Sequence, residues 1–183
     1  MGTLSSVRIG VLGAARITPM ALIRPAHTVE GVEVRAVAAR DPKRAEAFRC
    51  KHKLERAHEC YEALINDRNI DAIYNPLPNG LHAEWTIRAL EAGKHVLCEK
   101  PFANNRTEAE QMAKAQKRTG RILMEAFHYR YHPLIERSLQ ILREGEIGDV
   151  QEIHTAMCVP LPEPGNIRYS YELGGGATMD TGC

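Results

Sequence analysis

Residues 7–18 read VRIGVLGAARIT, and this stretch decides the fold. A short run rich in Val, Ile and Leu leads straight into Gly13, the pattern of a buried strand that ends in a tight turn. A helix is expected next, from Ile17 to His27. Its apolar positions are 17, 20, 21 and 23, and Pro19 is tolerated because the first helical turn has no amide bond to lose. Gly31 to Ala39 reads as a second strand. Asp41-Pro42 then opens a helix, Asp being a favoured cap and Pro a favoured first residue.

The alternation continues with a short strand near His58 to Tyr61, a helix over Tyr61 to Asp67, a strand from Ile70 to Asn75 and a helix from Leu81 to Ala92 that Gly93 stops. A strand follows at His95 to Glu99. Thr107-Glu108-Ala109-Glu110 forms a capping box for a helix that Gly120 closes, and Ile122 to Glu125 makes one more strand. Repeated βα units of this length predict an α/β fold, a doubly wound parallel sheet with helices on both faces, complete by residue 125.

Beyond it, residues 126–183 read as the opening of a second, α+β domain. A helix is expected from His132 to Gly148 with Leu134, Ile135, Leu139, Ile141 and Leu142 on its inner face, then a strand from Val150 to Cys158. Residues 159–165, VPLPEPG, suit neither element, and Gly174-Gly175-Gly176 follows.

Composition removes several classes of function. The chain has 183 residues, 24 Lys and Arg against 23 Asp and Glu, 44% hydrophobic and 26% charged residues. It is too apolar for a disordered chain and too charged for a membrane bundle. The balanced, interleaved charge supplies no basic stripe for nucleic acid, which leaves small molecules or protein as partners. Six Tyr, three Phe and one Trp leave the core to aliphatic residues, as suits a parallel sheet. Five cysteines at 50, 60, 98, 158 and 183 form no disulfide framework. With no signal peptide ahead of them, they read as free thiols in a reducing, cytoplasmic setting. The start Met1 to Ser6 fits a loose myristoylation pattern and equally a short leader. Cys50, His52, His58 and Cys60 are zinc-ligand types, but i, i+2 on a helix points to different faces, so no metal site is expected.

Gly13-Ala14-Ala15-Arg16-Ile17-Thr18 stands where a dinucleotide fingerprint would stand and keeps its first glycine only. Gly13 permits the turn, Ala15 is small enough for a pyrophosphate to approach, and the following helix offers free amides. A plain strand-to-helix turn looks similar. After the second strand, Val37-Ala38-Ala39-Arg40-Asp41 has no acid for an NAD ribose and has an arginine suited to a 2′-phosphate, which favours NADP over NAD. The bland alternative is a surface Arg40 paired with Asp41.

Five collinear segments, VRIGVLGAARIT, AVAARDPKRAEAF, YNPLPNGLHAEWTIRALEAGKHVLCEKPFA, MEAFHYRYHP and GGGATMDTG, together resemble the Gfo/Idh/MocA family of NAD(P)-dependent oxidoreductases, nearest to its dihydrodiol and aldose dehydrogenase branch. The resemblance implies a Rossmann-type cofactor domain at residues 1–125. It implies that residues 126–183 begin a domain that carries substrate pocket and homo-oligomer interface. It further implies that Lys100 sits beside the nicotinamide and hydrogen-bonds the reacting oxygen, with Glu99 and Pro101 around it and a bent, cis-type Lys100-Pro101 peptide. Asn75, Pro76, Leu77, Pro78 and Asn79 match the loop that closes over the cofactor, with His82 nearby and Gly13, Ala15, Arg16 and Ile17 at the pyrophosphate. Glu125 and Arg130 fall on the implied floor of the site, where a structural role is an equal alternative; His128 stands where relatives commonly have an apolar residue.

Asp180 matches the start of the family's D-x-G-x-Y-x-x-H segment, and the Tyr and His lie past Cys183. The expectation is therefore an NADP-dependent oxidoreductase of a sugar, polyol or cyclic diol, cut within its second domain. The alternative is a non-catalytic dinucleotide-binding fragment of such an enzyme. In that cut state a strand from Val150 would carry unpaired edges.

Overall fold

The computed structural model describes residues 6–158, 160 and 163–182. The leader Met1 to Ser5, three residues of the 159–165 linker and Cys183 lie outside the described residues.

Six strands, β1 (Val7–Leu12), β2 (Val32–Ala38), β3 (Arg56–His58), β4 (Ala72–Asn75), β5 (His95–Cys98) and β6 (Leu123–Glu125), form one sheet in the order β3-β2-β1-β4-β5-β6. Every pairing is parallel, with Val11 opposite both Val37 and Tyr74. The order reverses between β1 and β4, so the crevice of this doubly wound sheet opens at the carboxyl ends of those strands. That edge carries Gly13, Ala39, Pro76 and Glu99.

Both faces are covered, which is why the middle strands read as unbroken apolar runs rather than alternating ones. One face packs Leu12, Ala38, Ile73 and Val96 beneath α3 (Tyr61–Ile65), α4 (His82–Glu91) and α5 (Arg106–Thr119), which contribute Leu64, Leu90 and Met112. The other packs Val11, Val37 and Tyr74 against Leu22 and Ile23 and against Ala45 of α2 (Pro42–His52). Adjacent residues Val11 and Leu12 thus point to opposite faces, the period-2 signature of a strand.

Local chemistry sets the helix ends. Asp41 caps α2 by accepting the Lys43 amide at 2.9 Å, with Pro42 as first residue, as expected. The first helix departs from expectation: Pro19–Ile23 is a π-helical turn, followed by the single α-turn α1 (Arg24–Ala26). The Arg24 amide bonds the Pro19 carbonyl five residues back, and Pro25 has no amide to continue an α register. The box opening α5 is also two residues earlier than expected. Asn105 Oδ1 accepts the Glu108 amide at 3.0 Å, and Glu108 returns to the Asn104 amide at 3.0 Å, leaving Thr107 inside the helix.

The second-domain expectation is corrected in part. The helix α6 (Pro133–Glu144) forms and ends at Gly145, but Leu134, Leu139 and Leu142 face solvent rather than an inner surface. Among the described residues no strand follows β6, and residues 150–158 are irregular and exposed. A β-prone segment needs a neighbour to pair with its amides and carbonyls, and among the described residues no strand pairs with this one. The chain then forms two 3₁₀ turns, Ile167–Tyr169 and Tyr171–Leu173, and a short helix α7 (Ala177–Thr181), which returns to the crevice. Among the described residues no helix is long and apolar enough to cross a membrane.

Candidate active site

The turn after β1 is held open by backbone geometry. Gly13 sits at φ +84°, a region L side chains rarely adopt, and a Cβ there would come 3.0 Å from Leu77 Cδ2. Its amide donates to the Ala38 carbonyl at 2.6 Å, tying the turn to the end of β2. Among the described residues, the amides of Ala14, Ala15, Arg16 and Ile17 have no protein acceptor. Arg16 and Arg40 are exposed and make no ion pair among the described residues, so Arg40 does not pair with Asp41, whose side chain caps α2. Nearby, Tyr61 is packed edge-on against Trp85 at 4.8 Å between ring centres. Free amides and guanidiniums without an ion pair at the switch point of a parallel sheet are the groups that phosphate oxygens accept from.

Buried polar groups tie together the loops after β4 and β5. Asn75 is fully buried; its Nδ2 donates to Thr86 Oγ1 at 3.1 Å and to the His82 carbonyl at 3.2 Å. Tyr74 donates its hydroxyl to Glu99 Oε1 at 2.5 Å, and the Lys100 amide reaches Glu99 Oε2 at 3.3 Å. Burial, with the Glu99 carboxylate second, pushes the Tyr74 phenol far above its ordinary value, so it stays a donor. The Lys100-Pro101 peptide is cis. His82 is 0% exposed, with Nδ1 2.7 Å from the Pro101 carbonyl oxygen and Nε2 2.8 Å from that of Leu77. Leu77 belongs to the core against Gly13 rather than to an open wall. Pro76, Pro78 and Asn79 are half-buried along the crevice rim.

The two residues expected to carry chemistry meet. Lys100 Nζ donates to the Asp180 carbonyl at 2.6 Å and lies 3.6 Å from Asp180 Oδ1, while Arg168 Nε holds Asp180 Oδ2 at 2.6 Å. The returning segment is anchored by Asn79 Nδ2 on the Gly174 carbonyl at 2.8 Å. It also lies against Gly80, where a Cβ would come 2.9 Å from the Glu172 carbonyl oxygen.

Residues around this pair divide by exposure. Glu125, at the end of β6, is half-buried, and burial raises its carboxyl above the usual range. Arg130 is exposed, and His128 Nε2 stands 3.9 Å from Glu99 Oε1. Arg168 and Tyr74 were not singled out by sequence reasoning. A tyrosine at the end of an otherwise apolar strand was a usable signal for the second, because a buried hydroxyl demands an acceptor.

The zinc-type residues disperse. Cys50 contacts Glu46, His52 packs on Phe48, His58 lies 3.1 Å from Asp67, and Cys60 caps α3. Among the described residues no group of three metal-ligand side chains converges.

Comparison with known proteins agrees with this architecture. Residues 7–127 match the family model described as the oxidoreductase family with an NAD-binding Rossmann fold, and residues 135–183 match that of the GFO/IDH/MocA C-terminal domain. The chain is 41% identical over 175 residues to D-xylose 1-dehydrogenase (NADP(+)) 2 of Haloferax volcanii, covering 95% of this chain and 53% of that protein. It is 38% identical to trans-1,2-dihydrobenzene-1,2-diol dehydrogenase of Xenopus laevis over 82% of this chain and 46% of that one. In structure it matches KijD10, a 3-ketoreductase from Actinomadura kijaniata solved with NADP and TDP-benzene. That match has a TM-score of 0.91 and 38% identity, over 97% of this chain and 55% of the other. The chain spans about half the length of the curated relatives it matches.

Proposed function

The chain belongs to the Gfo/Idh/MocA oxidoreductase family, and we propose that it holds NADP(H) for hydride transfer to or from a carbon of a sugar, polyol or cyclic diol. The observation that carries this reading is the Gly13 turn: among the described residues its four following amides lack a protein acceptor, and Arg16 and Arg40 beside it make no ion pair. The turn amides would take the pyrophosphate, and Arg40, in place of an acid, the 2′-phosphate. Named relatives that use NADP(+) or were solved with NADP support that choice. The nicotinamide, when bound, supplies or accepts the hydride.

The chain's own residues do the rest. Lys100, at the carboxyl end of the sheet, presents an ammonium that stabilises negative charge developing on the substrate oxygen. Arg168 holds the Asp180 carboxylate beside that ammonium, and the Tyr74–Glu99 pair holds the Lys100 backbone. A second reading, cofactor binding without turnover, is favoured by one observation. Asp180 is the acid beside Lys100, and Arg168 already engages it.

Titration of the purified chain with NADPH and NADH tests the cofactor, and NADPH is expected to bind more tightly. Arg40→Ala should remove that preference, about a tenfold or greater loss for a charge-assisted phosphate contact. Tighter binding of NADH refutes the assignment. Turnover with aldoses and diols that disappears in Lys100→Ala supports the enzyme reading; NADPH binding without turnover supports the second.

A further inference from the structure

His82 begins α4 with both ring nitrogens against carbonyl oxygens, Pro101 at 2.7 Å and Leu77 at 2.8 Å, and with no part of it exposed. A neutral imidazole has one N–H and one lone pair, so one of these contacts would set a lone pair against a carbonyl lone pair. Only the doubly protonated ring satisfies both. Its two acceptors belong to different loops, one following β4 and the other following β5 next to Lys100. The backbone carbonyl of His82 also accepts from Asn75, so the residue is bonded at three points around one junction.

We propose that His82 is a positioning residue rather than a cofactor contact: as a double donor it clamps the loop of residues 75–79 onto the Lys100-Pro101 turn and so fixes where Lys100 stands. This deepens the dinucleotide reading above and rests on it. The groups that act on the ring from neighbouring elements are few. Burial is the largest influence and lowers the ring's pKa below the ordinary histidine value; the two carbonyls favour the charge and the carboxylates of Glu99 after β5 and Glu108 on α5 add to them, without overcoming it. Tyr74, whose proton stays on, donates it to Glu99. Glu84 on the same helix is exposed and bonded to Arg88.

The clamp therefore has a sign. Acid completes it, and loss of the ring's second proton, which burial moves below the usual histidine range, removes one of its two bonds and loosens the junction that carries Lys100.

Two measurements test this on the 183-residue chain. Imidazole ¹⁵N spectra without cofactor, recorded as pH is lowered from 7.5, are expected to show His82 gaining a second protonated, exchange-protected ring nitrogen below the ordinary histidine range; a ring that stays a single neutral tautomer until the chain unfolds overturns the proposal. NADPH affinity measured across the interval in which those spectra show the ring titrating, below the ordinary histidine value, is expected to weaken about tenfold as the ring loses its proton, the worth of one hydrogen bond. In His82→Phe that step should vanish and affinity stay at or below the weak limit. His82→Gln, which keeps an amide donor, should fall between the two. The 2′-phosphate titrates in the same range but equally in all three proteins, so the difference isolates the ring. A folded His82→Phe, judged by Trp85 fluorescence, with unaltered affinity and pH profile overturns the proposal. Should His82→Phe not fold, His82→Gln and the spectra of the native chain decide. A native chain that binds no NADPH at any pH refutes the dinucleotide reading and leaves the ¹⁵N result to stand by itself.

Discussion

Replacing Tyr74 by Phe isolates the hydrogen bond beneath Lys100. The phenol is 1% exposed, its acceptor Glu99 is 7% exposed, and the oxygens are 2.5 Å apart. The ring itself packs against Val11 and Val37 and survives the change, so little cavity opens. What is lost is a hydrogen bond to a buried carboxylate, whose remaining hydrogen-bond donor among the described residues is the Lys100 amide at 3.3 Å. Hydrogen bonds to charged groups contribute about 1.5–3 kcal/mol, and burial of the acceptor places this one toward the upper end, about 2–3 kcal/mol.

For a chain of this size that is a fall in midpoint of roughly 5–10 °C. A second readout follows from linkage. The Tyr74 pKa is raised in the folded state, so its contribution is complete below the ordinary tyrosine value near 10 and is lost as pH rises above it. The native chain should therefore lose about 1.4 kcal/mol per pH unit above 10 from this group, and Tyr74→Phe should lack that component. Urea unfolding followed by Trp85, the single tryptophan and 8% exposed, measures both. A Phe variant within about 0.5 kcal/mol of the native chain at pH 7, with the same alkaline slope, refutes the reasoning.

Other perturbations reach different parts of the molecule. Asp71 accepts three hydrogen bonds from Arg8 across the β1–β4 join, and the guanidinium holds its pKa down to about 2. Stability from this pair is present above pH 4 and lost as pH falls toward 2. Discounted for partial exposure, Asp71→Asn should cost about 1 kcal/mol at pH 7 and flatten the acid side of a stability–pH curve. Met112, fully buried where α5 meets the sheet, should cost about 2–5 kcal/mol as Met112→Ala in the same urea assay. Cys98 is buried and its thiol is pushed up to about 12, so a thiol reagent at pH 8 should label Cys50 promptly and Cys98 only on unfolding, as peptide mapping will report.

What the sequence made legible was whatever is decided within a few residues. Val7 to Gly13 and Asp41-Pro42 carry their own instructions, the first in its apolar run and turn, the second in a cap and a fixed φ. The opening of α5 lay at the limit of that logic, because Asn104, Asn105 and Thr107 are all capping types. The choice fell to Asn105, which lets Glu108 return to the Asn104 amide. Residues 150–158 lay past it: the segment reads as a strand, but pairing needs a second strand, and that is a non-local fact. The site divides along the same line. Lys100 and Asp180 were visible by motif, whereas nothing near His82 in sequence announces that the Leu77 and Pro101 carbonyls converge on its ring. Arg168 sits in a stretch without periodicity, so its hold on Asp180 emerges only when the chain turns back.

The strand order also has a consequence for synthesis. β1 is the hub of the sheet, paired on one side with β2 and on the other with β4, whose residues begin at Ala72. A ribosome working at about 5–20 residues per second emits Tyr74 roughly 3–13 s after Val11. Through that interval one edge of VRIGVL has no native mate, and the helices that roof its Leu12 face, α3 to α5, are still being made. Parallel pairing forbids a hairpin shortcut, so no local rearrangement relieves the exposure. The segment that becomes the centre of the finished molecule is the one the nascent chain must shield longest.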